Sequence, residues 1–246
     1  MKQSKVHIIT AETELAEIVL KDPGYLLFME HFGIVPPFQN NTIRAYCREN
    51  DIRQELFISF YNIYSGENVT GEEDFTPEDL PLIMRFLENS HRYFLDEIYP
   101  DIRKLIKLLR DVNKSYEISL VDKFFSEYFN EVKEHLAYEE KTVFPYIRDL
   151  CHIPGNNKKA RGSGKFSVAV YKKHHNDIEE KLDDLMNLLI KYLPGNNDNI
   201  ERRKVLKSIH ELNDDLTVHQ KIEDLVLIPL VEKIENQSRS NNGKEY

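Results

Sequence analysis

His135-Leu136-Ala137-Tyr138-Glu139 recurs 84 residues later as His219-Gln220-Lys221-Ile222-Glu223, and a proline follows each glutamate by six residues, at Pro145 and Pro229. Residues four apart on a helix are neighbours on one face, so each pair can aim an imidazole and a carboxylate at a common point. Two such pairs on two helices supply two terminal imidazoles and two bridging carboxylates. That is most of the ligand set of a two-metal centre.

Two more histidines fall on apolar helical seams. His91 lies in the series Leu80, Met84, Leu87, His91, Phe94, Ile98, with alternating spacings of four and three. His175 lies in a second series with Val168, Tyr171, Ile178, Leu182, Leu185, Leu189 and Tyr192. His174 competes for that place, and the heptad through Tyr171, Ile178 and Leu182 selects His175. A single seam histidine reads first as a hydrogen-bonded core residue. Four of them with two seam glutamates do not, because a buried unpaired carboxylate needs a cation or a proton to compensate it.

Four imidazoles and two carboxylates suit iron or manganese, and zinc less specifically; no ligand thiolate is available to favour a softer metal. Two histidines per metal with two shared glutamates leave at least one open position on each metal, where oxygen, nitric oxide or an oxo bridge can bind. Glu131, one turn before His135, and Asp215, one turn before His219, are candidates to orient an imidazole or relay protons. Surface charge is the equal alternative for both. Tyr171, one turn before His175, could donate a hydrogen bond and reads first as core. His7, His31, His152 and His210 lie away from the ligand level and read as structural or exposed.

The elements that must hold these ligands are four amphipathic helices, expected at about 78–113, 116–149, 165–193 and 199–235. Thr76 and Pro77 mark the first start, with Asp79 in the first turn, and Pro100 should kink or offset that helix. The second carries Phe124, Tyr128, Glu131, His135 and Glu139 on one face, and the fourth places Val205, Ile209, Leu212, Leu216, His219, Glu223, Val226, Leu230 and Ile234 on one stripe. The fold expected is all-α: an up-down-up-down four-helix bundle over 78–235, preceded by a small helical domain at 1–64 and a polar linker at 65–77. A polar, disordered tail is expected at 236–246.

With 41% hydrophobic residues, the 246-residue chain can bury a sizeable core. A net charge of −9 and scattered lysines argue against nucleic acid as the main partner. No segment approaches the length of a membrane span, and the N-terminus does not resemble a signal peptide. Two cysteines, Cys47 and Cys151, fit a reducing cytoplasm better than a disulfide framework. Metal-assisted hydrolysis by zinc or manganese is a weaker reading, since a bundle interior offers no evident substrate cleft or arginine clamp.

The ligand motifs resemble the hemerythrin-like HHE cation-binding family, and more closely its iron-sulfur cluster repair branch, the RIC or ScdA/YtfE-type di-iron proteins. His135 through Glu139 to Pro145 looks like the family's second-helix motif, and Glu211 through His219 and Glu223 to Pro229 like its fourth. The resemblance implies two non-haem irons, oxo- or hydroxo-bridged and carboxylate-bridged, held by His91, His135, Glu139, His175, His219 and Glu223. It implies a role in the nitrosative and oxidative stress response: binding nitric oxide or oxygen, and repairing iron-sulfur clusters by iron donation or reducing nitric oxide. Iron-sulfur client proteins and an electron donor would be the partners. The rival is a hemerythrin-like carrier or sensor of oxygen or nitric oxide without turnover. Leu20 to Pro23, Phe28 to Ile34 and Thr42 to Cys47 follow the order of the family's short N-terminal domain. Where that domain typically carries adjacent cysteines, this chain has Val35-Pro36-Pro37-Phe38, so a role needing a vicinal dithiol is not supported. A homodimer through the N-terminal domain stays open.

Overall fold

The computed structural model describes residues 8–67, 75–151, 167–174 and 178–242. Among them, regular structure is helical apart from a single β-bridge between Glu14 and Thr42. By packing, the chain separates into two compact units, residues 1–90 with 218–246 and residues 91–217. No helix among the described residues is long and apolar enough to cross a membrane.

The first unit opens with four short helices, α1 (Leu15–Lys21), α2 (Tyr25–His31), α3 (Ile43–Glu49) and α4 (Gln54–Tyr64), followed by α5 (Leu80–Arg92). The Thr42 hydroxyl caps α3 by accepting the Ala45 N–H at 3.2 Å. Before α5, the Thr76 N–H donates to Asp79 Oδ2 at 2.8 Å and Pro77 opens a 3-10 turn, as the sequence led us to expect. Arg53 fastens this start to α4 by an ion pair with Asp79 at 2.8 Å. The core is aromatic. Phe86 of α5 receives Phe32 and Phe60 at centroid distances of 5.0 and 5.1 Å, both edge-on. A fully buried phenyl side chain contributes about 1.5–3 kcal/mol, so this cluster is a main support of the N-terminal helices. Asn89 adds a hydrogen bond to the His31 carbonyl at 2.8 Å, and the buried His31 ring packs edge-on against Phe86.

Cys47 lies on α3 in this core. Burial, with the charge of Glu55 adding, pushes its thiol up to about 12, so little thiolate exists at neutral pH. Iodoacetamide at pH 8 should therefore label Cys47 slowly in the native protein and quickly once it is unfolded, as read by mass spectrometry. Fast native labelling would contradict this placement.

In the second unit, α5 passes through a π-helical turn (Tyr93–Ile98) into α6 (Tyr99–Asn113), and α7 (Tyr116–Tyr138) follows. Lys114, in the left-handed region at φ 56°, closes α6 with its N–H on the Arg110 carbonyl. A second π-turn (Glu139–Val143) joins α7 to α8 (Phe144–Leu150). Next come α9 (Val168–His174) and α10 (Ile178–Asn187), a π-turn (Leu188–Tyr192), and α11 (Asn199–Ile222), whose last residues belong to the first unit. Ile102 and Ile106 of α6, Phe125 and Val132 of α7, Leu182 and Leu185 of α10, and Val205 and Ile209 of α11 share one core. The buried line on α7 runs through Phe125, Tyr128, Val132 and Leu136, one residue off the face expected from Phe124 and Glu131; Glu131 is exposed.

A last π-turn (Glu223–Leu227) leads to α12 (Ile228–Asn242) in the first unit. This helix runs past 235, into residues expected to be a disordered tail. No glycine or proline interrupts Asn236 to Asn242, so nothing in the backbone forces the helix to stop there.

Among the described residues, all four π-turns end two residues before a proline, at Pro100, Pro145, Pro194 and Pro229. Proline has no N–H to donate, and its ring clashes with the carbonyl four residues back. The residue before each proline instead reaches back five: Tyr99 to Phe94, Phe144 to Glu139, Leu193 to Leu188 and Ile228 to Glu223. The widened turn shifts the register. Leu193 is buried where the unbroken seam would have placed Tyr192, which is 68% exposed.

Candidate metal centre

Two of those wide bonds fall on the carbonyls of Glu139 and Glu223, the glutamates of the repeated motif. Each therefore sits at the junction of a regular helix and a π-turn, a place where helices often carry function. Both side chains are buried, at 0% and 1% exposure.

Within the second unit, Glu139 lies between two imidazoles. Its Oε2 faces His91 Nε2 at 3.2 Å and its Oε1 faces His135 Nε2 at 2.9 Å. Tyr171 Oη donates to the same Oε1 at 2.7 Å, so this tyrosine, expected first as core, also touches the site. The other nitrogen of His91, Nδ1, lies 3.2 Å from Glu140 Oε1, and the ring stacks on Phe144 with centroids 5.5 Å apart. Burial drives the Glu139 carboxyl up, but hydrogen bonds from His135 and His91 and their charges outweigh it and hold it well below the usual range. The His91 hydrogen bond likewise holds Glu140 low, against partial burial.

Within the first unit, His219 Nε2 faces Glu223 Oε1 at 3.5 Å. Its Nδ1 lies 2.7 Å from Ser90 Oγ, and Ser90 donates its own proton to the Leu87 carbonyl at 2.8 Å.

Five of the six expected ligands are thus described, and each motif pairs its histidine with its glutamate. His175 lies outside the described residues. Glu131 does not reach His135; its carboxylate is paired with Lys181 on an exposed face. Asp215 is buried on α11. Sequence reasoning missed Glu140 and Ser90. Their signal is adjacency, since each is the chain neighbour of a ligand, and adjacency alone does not say what a side chain touches.

The donors fit a metal. Glu139 Oε2 is buried, and its neighbour at 3.2 Å is an imidazole nitrogen of His91. A buried carboxylate so placed needs a positive charge beside it, from an imidazolium or from a cation held between the two groups.

An all-helical domain with buried histidine-glutamate pairs defines a cation-binding helical protein. The chain matches the hemerythrin HHE cation-binding domain over residues 82–231 and belongs to that family. No curated protein and no solved structure matches it.

Proposed function

We propose that the two histidine-glutamate sets belong to one non-haem di-iron centre, with His91, His135, His175 and His219 as terminal ligands and Glu139 and Glu223 as bridges. The observation that carries this is the Glu139 carboxylate, whose two oxygens each face a different imidazole, as a bridge between two metals requires. A further fact supports it: His91, Glu139 and His219 are buried donors of the kinds that hold a cation. Iron at such a centre would supply open positions for nitric oxide or oxygen and a change of oxidation state.

The chain's own residues do the rest. The helices exclude water, the two glutamates balance the metal charge, and the Tyr171 O–H keeps Glu139 Oε1 oriented. The role proposed is in the nitrosative and oxidative stress response of the cytoplasm, through iron donation to damaged iron-sulfur clusters or reduction of nitric oxide with electrons from a donor protein. A carrier or sensor without turnover is the second reading. It is favoured by the Val35-Pro36-Pro37-Phe38 segment, which holds no thiol pair, and by the buried, protonated Cys47.

Elemental analysis of protein purified without air or added metal should give two irons per chain, and nitric oxide or oxygen should change its near-ultraviolet and visible spectrum. Zinc alone, or no metal in folded protein, would reject the proposal. A spectrum that recovers fully on removing the gas, with no iron lost to a chelator in either redox state, would select the carrier.

A further inference from the structure

We infer that Glu140 and Ser90 are positioning residues that fix which nitrogen His91 and His219 present as ligands, through an anionic acceptor behind the first ring and a neutral one behind the second. The inference rests on reading these histidines as metal ligands, and it deepens that reading.

A neutral imidazole carries one N–H and one lone pair, and only the lone pair binds a metal. Whatever accepts a hydrogen bond from one ring nitrogen therefore commits the other to the metal. Ser90 is placed to make this choice. Its hydroxyl lies 2.8 Å from the Leu87 carbonyl and 2.7 Å from His219 Nδ1, and with its one proton given to Leu87 its oxygen accepts from Nδ1. His219 is then the Nδ1–H tautomer, with the Nε2 lone pair directed toward Glu223.

Glu140 does the same for His91 with a charge. An ionised carboxylate has no proton to give, so at 3.2 Å it holds Nδ1–H on His91 and directs Nε2 toward Glu139. Adjacent glutamates thus engage the two nitrogens of one ring, and the Phe144 stack removes the freedom to flip. The carboxylate also makes His91 the stronger electron donor of the two rings. The serine fixes orientation without adding charge.

The test uses the full chain and variants that separate orientation from folding. In metal-free protein at pH 8, long-range proton-nitrogen spectra of labelled histidine should report a proton on Nδ1 of both His91 and His219. Ser90→Ala should shift only the His219 pattern and Glu140→Ala only that of His91, while Ser90→Thr and Glu140→Gln, which keep an acceptor oxygen, should restore them. Chelator competition with ferrous iron should show about 10–100-fold weaker binding in the two alanine variants, the usual cost of losing such a partner. Glu140→Gln should recover most of the affinity yet raise the midpoint potential of the iron centre, because the charge is gone. Unchanged tautomers and affinity in both alanine variants, with the wild type binding metal, would overturn the inference. A wild type that binds no metal would refute the metal reading instead, and the ring spectra would still decide the tautomers.

Discussion

Glu139→Gln should strip the protein of metal while leaving its helices intact. The carboxylate faces both His91 and His135, so on the proposed bridging role its loss would take a ligand from both metals. We expect metal content to fall from two ions per chain to fewer than one, with affinity for any residual ion down by about 100-fold or more, beyond the 10–100-fold cost of losing an outer partner. The fold should survive because glutamine is isosteric. Its amide oxygen can accept from Tyr171 Oη, and its NH2 can donate to an imidazole lone pair, so the groups around position 139 stay satisfied. The amide loses the stabilisation that the depressed Glu139 carboxyl draws from its imidazole partners, so the metal-free variant should melt below the metal-free wild type. Glu139→Ala makes the contrast. It breaks a buried charged pair and leaves its partners without it, at a cost of about 3–5 kcal/mol. Metal analysis with thermal melts of both variants checks this. Two metals retained in Glu139→Gln would remove the bridge from any account of the site.

The reach of the sequence can be judged residue by residue. Leu80, Met84, Leu87, His91, Phe94 and Ile98 are all buried in the expected alternation, as is the stripe from Val205 to Ile234 on the last helices. Apolar spacing carried that far because a helix needs only one continuous face to bury. It failed where the helix changed pitch. Tyr192 sits one residue outside the buried line because the π-turn before Pro194 inserts an extra residue of rotation. Prolines at all four turns were visible in the sequence; that they would widen the helix rather than bend it was not, since the outcome depends on which carbonyl the preceding residue can reach.

Glu131 and Glu140 make the same point at the site. Glu131 has the helical spacing of an orienting carboxylate, yet Lys181, fifty residues away in sequence, takes it. Glu140 is turned about 100° from Glu139 around a regular helix, which by spacing alone points it elsewhere. It reaches His91 because α5 passes close by. Periodicity finds ligands that share a face, whereas partners across helices are set by tertiary packing, which a single helix pattern does not encode.

Acidification should remove the metal before it unfolds the chain. Metal ligation requires neutral imidazoles, so protons compete with metal as the pH falls. Several imidazoles per centre make that loss steep. The protonated rings then supply the positive charge that Glu139 needs, at the same 3.2 and 2.9 Å separations. Glu139 has a carboxyl held well below its usual range by those partners, against burial. A carboxyl depressed by folding contributes stability that is present above its unfolded value, near about 4.3, and is lost only as the pH falls through the lower folded value. In acid, down to the depressed Glu139 value, the protein should then be metal-free, helical and cooperative in its melting. Desalted samples stepped from pH 8 to pH 3, assayed for metal and by far-ultraviolet circular dichroism, test this window. If helix and metal disappeared at one pH, imidazolium would be unable to replace the cation beside Glu139, and metal would be a condition of folding. If the window exists, the bundle is a preformed receptacle, able to give up its metal without giving up its fold, as iron donation requires.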